Sequence, residues 1–168
     1  MRKKILMLMV FTTLFACALF LIYGIIEKVA AKKLVQFKTQ TLPPARLFTL
    51  DSSRFSFPPF ALAIIFFNSG CEHCQYEMKE ISKKQSLFLN DELILLSSES
   101  ISAIKKASED FGLAHLSNIY FAKINDEEVF STFGSVSVPH IFIYDKDHRL
   151  IKEFKGETKV EAIAKYLP

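Results

Sequence analysis

The 168-residue chain contains no tryptophan, so no indole can flank whatever reactive group it carries. Internal repeats and low-complexity stretches are also missing, which removes stacked-repeat architectures. Basic side chains interleaved with aromatics are absent as well. The net charge of +3 comes largely from residues near the N-terminus, and from Ala45 onward acidic side chains outnumber basic ones. That distribution speaks against nucleic-acid binding. There are three cysteines, two of them in a single Cys-x-x-Cys; the remaining candidate ligands His115, His140 and His148 lack a paired spacing, so four zinc ligands are not assembled. Gln75 follows the second cysteine where a c-type haem would need histidine. No cofactor and no metal is expected.

What is present begins with a long apolar run. Arg2, Lys3 and Lys4 precede an almost uninterrupted stretch from Ile5 to Ile26, "ILMLMVFTTLFACALFLIYGII". At about 1.5 Å per residue it reaches roughly 33 Å as a helix, enough to cross a hydrocarbon core of about 30 Å. Cleaved secretory signals share the basic start, but their apolar region is usually about 7 to 15 residues, and no small-x-small site closes this run before Glu27. An uncleaved anchor is therefore expected, with Cys17 as a buried small apolar residue rather than a processing site. The leading positive charges place the N-terminus in the cytoplasm and the rest outside, although Lys28, Lys32, Lys33 and Lys38 beyond the span work against that bias.

The expected organisation is an anchor over 1–31, a tether over 32–44 ending in Pro43-Pro44, and one compact domain over 45–168. "ARLFTL" and "RFSF" read as a short hairpin around Asp51 to Ser53, and "ALAIIFF" as a buried central strand. Glu72 to Leu89 reads as a helix with Cys74, Met78, Ile81 and Phe88 on one face, and Ser69 to Glu72 has the spacing of a capping box. "ELILLSS" is a strand, Ile101 to Phe111 a helix stopped by Gly112, "SNIYFAKI" a strand, and Asp126 to Phe133 a short helix ended by Gly134. "PHIFIYD" and "LIKEFKG" flank a turn, and Thr158 to Glu161 caps a final helix. This alternation implies an α/β fold with a central mixed sheet and helices on both faces.

Three features carry a resemblance: Cys71-Glu72-His73-Cys74 after an apolar strand, Val138-Pro139 just before "HIFIYD", and an extra β-α unit between them. From about Arg46 to Leu167 the chain resembles thioredoxin-fold proteins, and more narrowly the membrane-tethered TlpA/ResA-like thiol-disulfide oxidoreductases, often grouped with the AhpC/TSA-type redoxins. The resemblance implies a cis-proline at Pro139, packed against the active pair, with the Val138 backbone offering strand-like hydrogen bonds to a substrate.

The residues supply a chemistry of their own. A thiol at the start of a helix faces free backbone N–H groups and the positive end of the dipole, which favour thiolate. Cys71 is on this ground the nucleophile, and Cys74, one turn further in, the resolving thiol. Glu77 follows Cys74 by three residues on nearly the same face, where similar sequences commonly carry an acid; it is a candidate proton acceptor for Cys74, against the alternative of a solvated surface glutamate. Glu72 and a charged His73 would push the neighbouring thiolate in opposite directions. His73 and Gly70 are candidate substrate contacts together with Val138, and His140 reads as an inward or edge-facing strand histidine.

The chain departs from the family at two points. Gly70 stands where relatives carry a Trp, which removes a contact surface beside Cys71, while Phe67 fills the aromatic position four residues before it. Asn68 occupies the position three residues before Cys71 where peroxiredoxins need Thr, which disfavours a thiol peroxidase. Three readings of the cysteine pair remain at this stage: disulfide exchange with protein partners, supplied by a membrane electron donor; a copper-binding metallochaperone, whose cysteines would normally lie one residue further apart; and a structural bridge, which would close too short a loop to constrain the unfolded chain much. Exchange on the extracytoplasmic side of a membrane is the expected function.

Overall fold

The computed structural model describes residues 2–134 and 136–167; Met1 and Pro168, the ends of the expected anchor and domain, lie outside it. Two compact units divide between Phe37 and Lys38. One helix, α1 (Arg2–Lys38), runs through the first and ends at the first residue of the second. Within it the span Lys3–Ala30 is long and apolar enough to cross a membrane. Cys17 lies within this span as a free thiol.

The second unit is a seven-stranded mixed sheet. In chain order its elements are β1 (Leu47–Phe48), β2 (Arg54–Phe55), β3 (Leu62–Phe66), α2 (Glu72–Lys83), a 3-10 turn (Gln85–Phe88), β4 (Glu92–Ser97), α3 (Ile101–Asp110), β5 (Ile119–Lys123), α4 (Asp126–Phe133), β6 (His140–Tyr144), β7 (Leu150–Lys155) and α5 (Val160–Ala164). The spatial order is β2-β1-β5-β4-β3-β6-β7. β3 runs parallel to β4 and antiparallel to β6, so every one of its residues is buried. That is why its sequence shows no polar alternation.

The pleat splits the apolar strands into two layers. Ala63 and Ile65 of β3 face one side, where they meet Cys74, Met78 and Ile81 of α2 with Ile104 of α3 and Val160 and Ile163 of α5. Leu62, Ile64 and Phe66 face the other side and meet Phe133 of α4 with Phe142 of β6. There Phe66 lies edge-on to Phe133, with ring centroids 4.9 Å apart, and Phe142 closes the group at 5.6 Å from Phe133.

Four local expectations need correction. The stretch expected as a tether is helical to Lys38, and beyond it Leu42 N–H donates to His148 O (2.8 Å), Leu150 N–H donates to Gln40 O (2.8 Å), and Leu42 packs into the second layer. The helix from Glu72 stops at Lys83 rather than Leu89; a 3-10 turn follows, and Asn118 Nδ2 takes up the carbonyls of Phe88 (2.6 Å) and Asp91 (2.9 Å) at its end. Ser69 does not cap α2, because Cys71 is the N-cap and Ser69 is bonded to Glu99. Thr158 does not cap α5 either: Lys159 is the N-cap, and the Thr158 hydroxyl donates to Gly156 O at 3.1 Å.

Candidate active site

The register of the sheet builds the site. β3 and β4 are parallel, so their carboxyl ends open at the same edge, where ligands of open α/β sheets bind. β6 enters antiparallel with His140 opposite Phe66, which brings Val138 and Pro139 to that edge. The chain leaves β3 through Phe67, turns with Cys71 N–H donating to Asn68 O (3.1 Å), and enters α2.

Cys71 is the N-cap of α2 and is half-buried. Its thiol points at the Val138 carbonyl, with Sγ 3.8 Å from the oxygen. The Val138-Pro139 peptide is cis, Pro139 is buried and Val138 is exposed. Beside Val138 opens a cleft of about 300 Å³ lined by Phe66, Phe67, Val129, Phe130, Gly134 and others. Cys74 is 1% exposed and, like Cys71, a free thiol. Burial pushes the Cys74 thiol up to about 12; the Asn68 backbone opposes this, while Cys71, with which it is hydrogen-bonded, and Glu77 add to it.

Glu77 is not a solvated surface glutamate. It shares the buried stripe of α2 with Cys74, Met78 and Ile81 and is 2% exposed. Its Oε1 accepts the Thr158 backbone N–H at 3.3 Å, and Oε2 has no hydrogen-bond partner among the described residues. Burial raises its carboxyl from 4.5 to about 8; the Thr158 hydrogen bond works against this and the charge of Glu157 adds to it. A carboxyl so placed is a weak acid at neutral pH beside a weaker thiol acid.

The remaining expected residues divide. Gly70 is exposed and donates its N–H to Asn68 Oδ1 at 2.9 Å, leaving the surface next to Cys71 open. His73 is exposed, with Nδ1 2.6 Å from Glu157 Oε2. His140 is buried and belongs to the opposite layer, stacked on Phe142 (4.4 Å) with Nε2 2.8 Å from Glu153 Oε1. Burial holds its imidazole below the ordinary histidine value in spite of Glu153.

Sequence reasoning missed Glu99, Glu157 and Thr158. The Glu99 carboxylate accepts both the N–H and the hydroxyl of Ser69, each at 2.7 Å, and so holds the turn leading to Cys71. Thirty residues separate that pair, and only the parallel pairing of β3 with β4 brings them together.

No protein-family model matches the chain. In the solved thioredoxin domain of a thiol-disulfide oxidoreductase from Bacteroides vulgatus, 98% of the domain aligns with 77% of this chain at a TM-score of 0.61 and 19% identity. The chain has the thioredoxin fold. The same fold relates it to Arabidopsis thaliana ScoI, solved with copper bound, at a TM-score of 0.57 and 10% identity over 73% of this chain and 92% of ScoI. In sequence, the thioredoxin-fold chain is similar to the thiol-disulfide oxidoreductase ResA of Bacillus thuringiensis subsp. konkukian, 27% identical over 105 residues. The match covers 61% of this chain and 58% of ResA's length. ResA of Bacillus cereus matches to the same extent.

Proposed function

We propose that the protein is a membrane-tethered thiol-disulfide oxidoreductase that exchanges disulfides with protein partners outside the cytoplasm. In this reading residues 45–168 are the redox domain and 1–31 the anchor, and a membrane electron donor re-reduces the pair. One observation carries it: a half-exposed thiol at a helix N-cap, hydrogen-bonded to a buried thiol, with a buried carboxyl one turn further on.

The chemistry runs in two displacements. The Cys71 thiolate attacks one sulfur of the partner's disulfide; a Cys71–partner disulfide forms, and the partner's second sulfur leaves as thiolate and takes a proton. Cys74 then attacks Cys71 Sγ, forming the Cys71–Cys74 disulfide and releasing the first partner sulfur as thiolate. The partner gains two electrons and the pair loses them. Cys74 must shed its proton for the second step, and its own acidity is too weak to do this in water at neutral pH. Once Cys71 is bound to a partner, it no longer contributes a titrating thiol, so two of the effects that hold the Cys74 proton disappear. In its ionised form, the minor one at neutral pH, Glu77 would accept that proton, and the protonated carboxyl is the form its buried position favours. Val138 O and the cleft beside it would hold an extended partner segment, and exposed Gly70 and His73 would border it.

The test is a Cys74→Ser variant of the full chain in its native membrane. Stalled before the second displacement, it should accumulate mixed disulfides on Cys71 that reductant releases and that Cys71→Ser abolishes. Recovery of no mixed disulfide from Cys74→Ser would refute the exchange reading.

A further inference from the structure

Three consecutive residues between β7 and α5 touch three different parts of the site. Gly156, at φ +87°, donates its N–H to Pro139 O at 2.8 Å. Glu157 places Oε2 2.6 Å from Nδ1 of His73, the residue between the cysteines. Thr158 donates its N–H to Glu77 Oε1 at 3.3 Å, and its hydroxyl closes the turn on Gly156 O. The turn is therefore fastened to the proline loop, to the first turn of α2 and to the buried acid. Only the contact to His73 is made by a charged side chain of the turn.

We propose that Glu157 is a positioning residue of this site, which through His73 holds the 156–158 turn on α2 and through its charge sets how readily Glu77 gives and takes a proton. The inference rests on the exchange reading for its purpose, but its test does not. The groups facing Glu77 are few. On its own helix there is Cys74, and on the turn there is Glu157, whose charge disfavours ionisation of Glu77. The charges of the far end of α2 and of α5 are engaged with one another, Lys84 bridging Glu80 (2.9 Å) and Glu161 (2.8 Å). On β7, Glu153 pairs with Lys155 (3.1 Å) and with His140 of β6 (2.8 Å), while Lys152 lies over the rings of Phe154 (5.2 Å) and Tyr166 (5.4 Å). Glu157 is the like charge that can be withdrawn without uncovering the core, its side chain being 42% exposed.

The experiment is Glu157→Gln in the full chain, reduced and in detergent micelles, with the Glu77 carboxyl followed by carbon-13 NMR from pH 5 to 9 and assigned by its loss in Glu77→Gln. Withdrawing one like charge should move the Glu77 midpoint down by about half a pH unit or more. Glu157→Asp keeps the charge with a shorter reach; it should retain the wild-type midpoint while the His73 ring resonances lose their dependence on the pair. Exchange with a model disulfide should show the same ordering, its pH limb moving down in Glu157→Gln only. A Glu77 midpoint equal in wild type and Glu157→Gln overturns the inference, as does an equal downward movement in Glu157→Asp. Absence of exchange in the wild type would instead count against the proposed function, and the NMR midpoints would still decide the role of Glu157.

Discussion

A carboxyl that ionises reluctantly in the folded chain must lower stability as the pH rises, and Glu77 gives that statement a size. In the unfolded chain its proton leaves near the ordinary 4.5; in the fold, burial keeps it on to about 8. Below 4.5 both states are protonated and the fold has its full stability. Between 4.5 and 8 the unfolded chain has released a proton that the folded chain retains, so the unfolded state gains on the folded one by about 1.4 kcal/mol per pH unit. Above 8 the loss is complete. The full loss is about 5 kcal/mol, and about 3 kcal/mol of it is present at pH 7; these are upper bounds, because water reaching the site beside half-exposed Cys71 would soften the effect. Glu77→Gln removes the titration while its amide oxygen still accepts the Thr158 N–H. The buried amide N–H2 costs a fixed amount of about 1–3 kcal/mol, which shifts the whole curve without tilting it. Urea unfolding of the full reduced chain in detergent, followed by far-UV circular dichroism at pH 5, 6, 7 and 8, should therefore show wild type losing about 2–3.5 kcal/mol relative to Glu77→Gln across that range. Parallel stability curves for the two proteins would refute the buried-acid account, whatever their absolute separation. Other titrating groups, His140 among them, are common to both chains and cancel in the difference.

Three further outcomes follow from the packing. His140 has its folded value held below the ordinary 6.5 by burial; its contribution to stability is whole above 6.5 and is lost as the pH falls, so His140→Phe should shrink the drop in melting temperature between pH 7 and pH 5. Glu99→Ala strands the Ser69 N–H and hydroxyl in a part-buried turn, which should cost about 1–3 kcal/mol in urea unfolding and speed hydrogen exchange at the Ser69 amide. Phe133→Ala opens a cavity between Phe66 and Phe142; a loss of about 3–5 kcal/mol is expected, read as a lower urea midpoint with an unchanged slope.

Much of the sheet was legible because its information is local. "ALAIIFF" lacks polar alternation since β3 is covered on both faces, and α4 ends where Gly134, at φ +78°, stops it. The cysteine pair was legible for the same reason: a strand-to-helix seam and a three-residue spacing lie within one short segment. The failures are all competitions decided at a distance. Ser69 has the spacing of a capping box, but Glu99 thirty residues on offers two acceptor oxygens at once. Thr158 has the same spacing before α5, and its N–H goes instead to a carboxyl 81 residues away. Residues 40–42 look like a tether because they precede two prolines, yet their backbone finds partners at the start of β7. Glu77 was placed on the right face by helical spacing; the spacing cannot show that α5 and its preceding turn cover that face.

In the exchange proposed above, the depth of each sulfur would order the two displacements, and that depth follows from strand register. Cys71 caps the helix because the chain turns as soon as it clears the sheet; Cys74 lies three residues on, which by helical geometry is the face turned to Ile65, Met78 and Ile81. The proline loop reaches Cys71 only because β6 pairs with His140 opposite Phe66. A slip of one residue would move Ile141 and Ile143 into the aromatic layer and put Phe142 and Tyr144 under α2, where branched aliphatics now fit. Apart from His140, paired with Glu153, and the Tyr144 hydroxyl, both faces of β6 are apolar, so polarity opposes that slip at the ends of the strand only. Side-chain volume opposes it in between: one layer stacks rings of Phe66, Phe133 and Phe142, the other interdigitates isoleucines with helix residues. The alternation of ring and branched side chain in "HIFIY" is thus what fixes the distance from Val138 O to Cys71 Sγ, and it lies one layer away from the sulfur it serves.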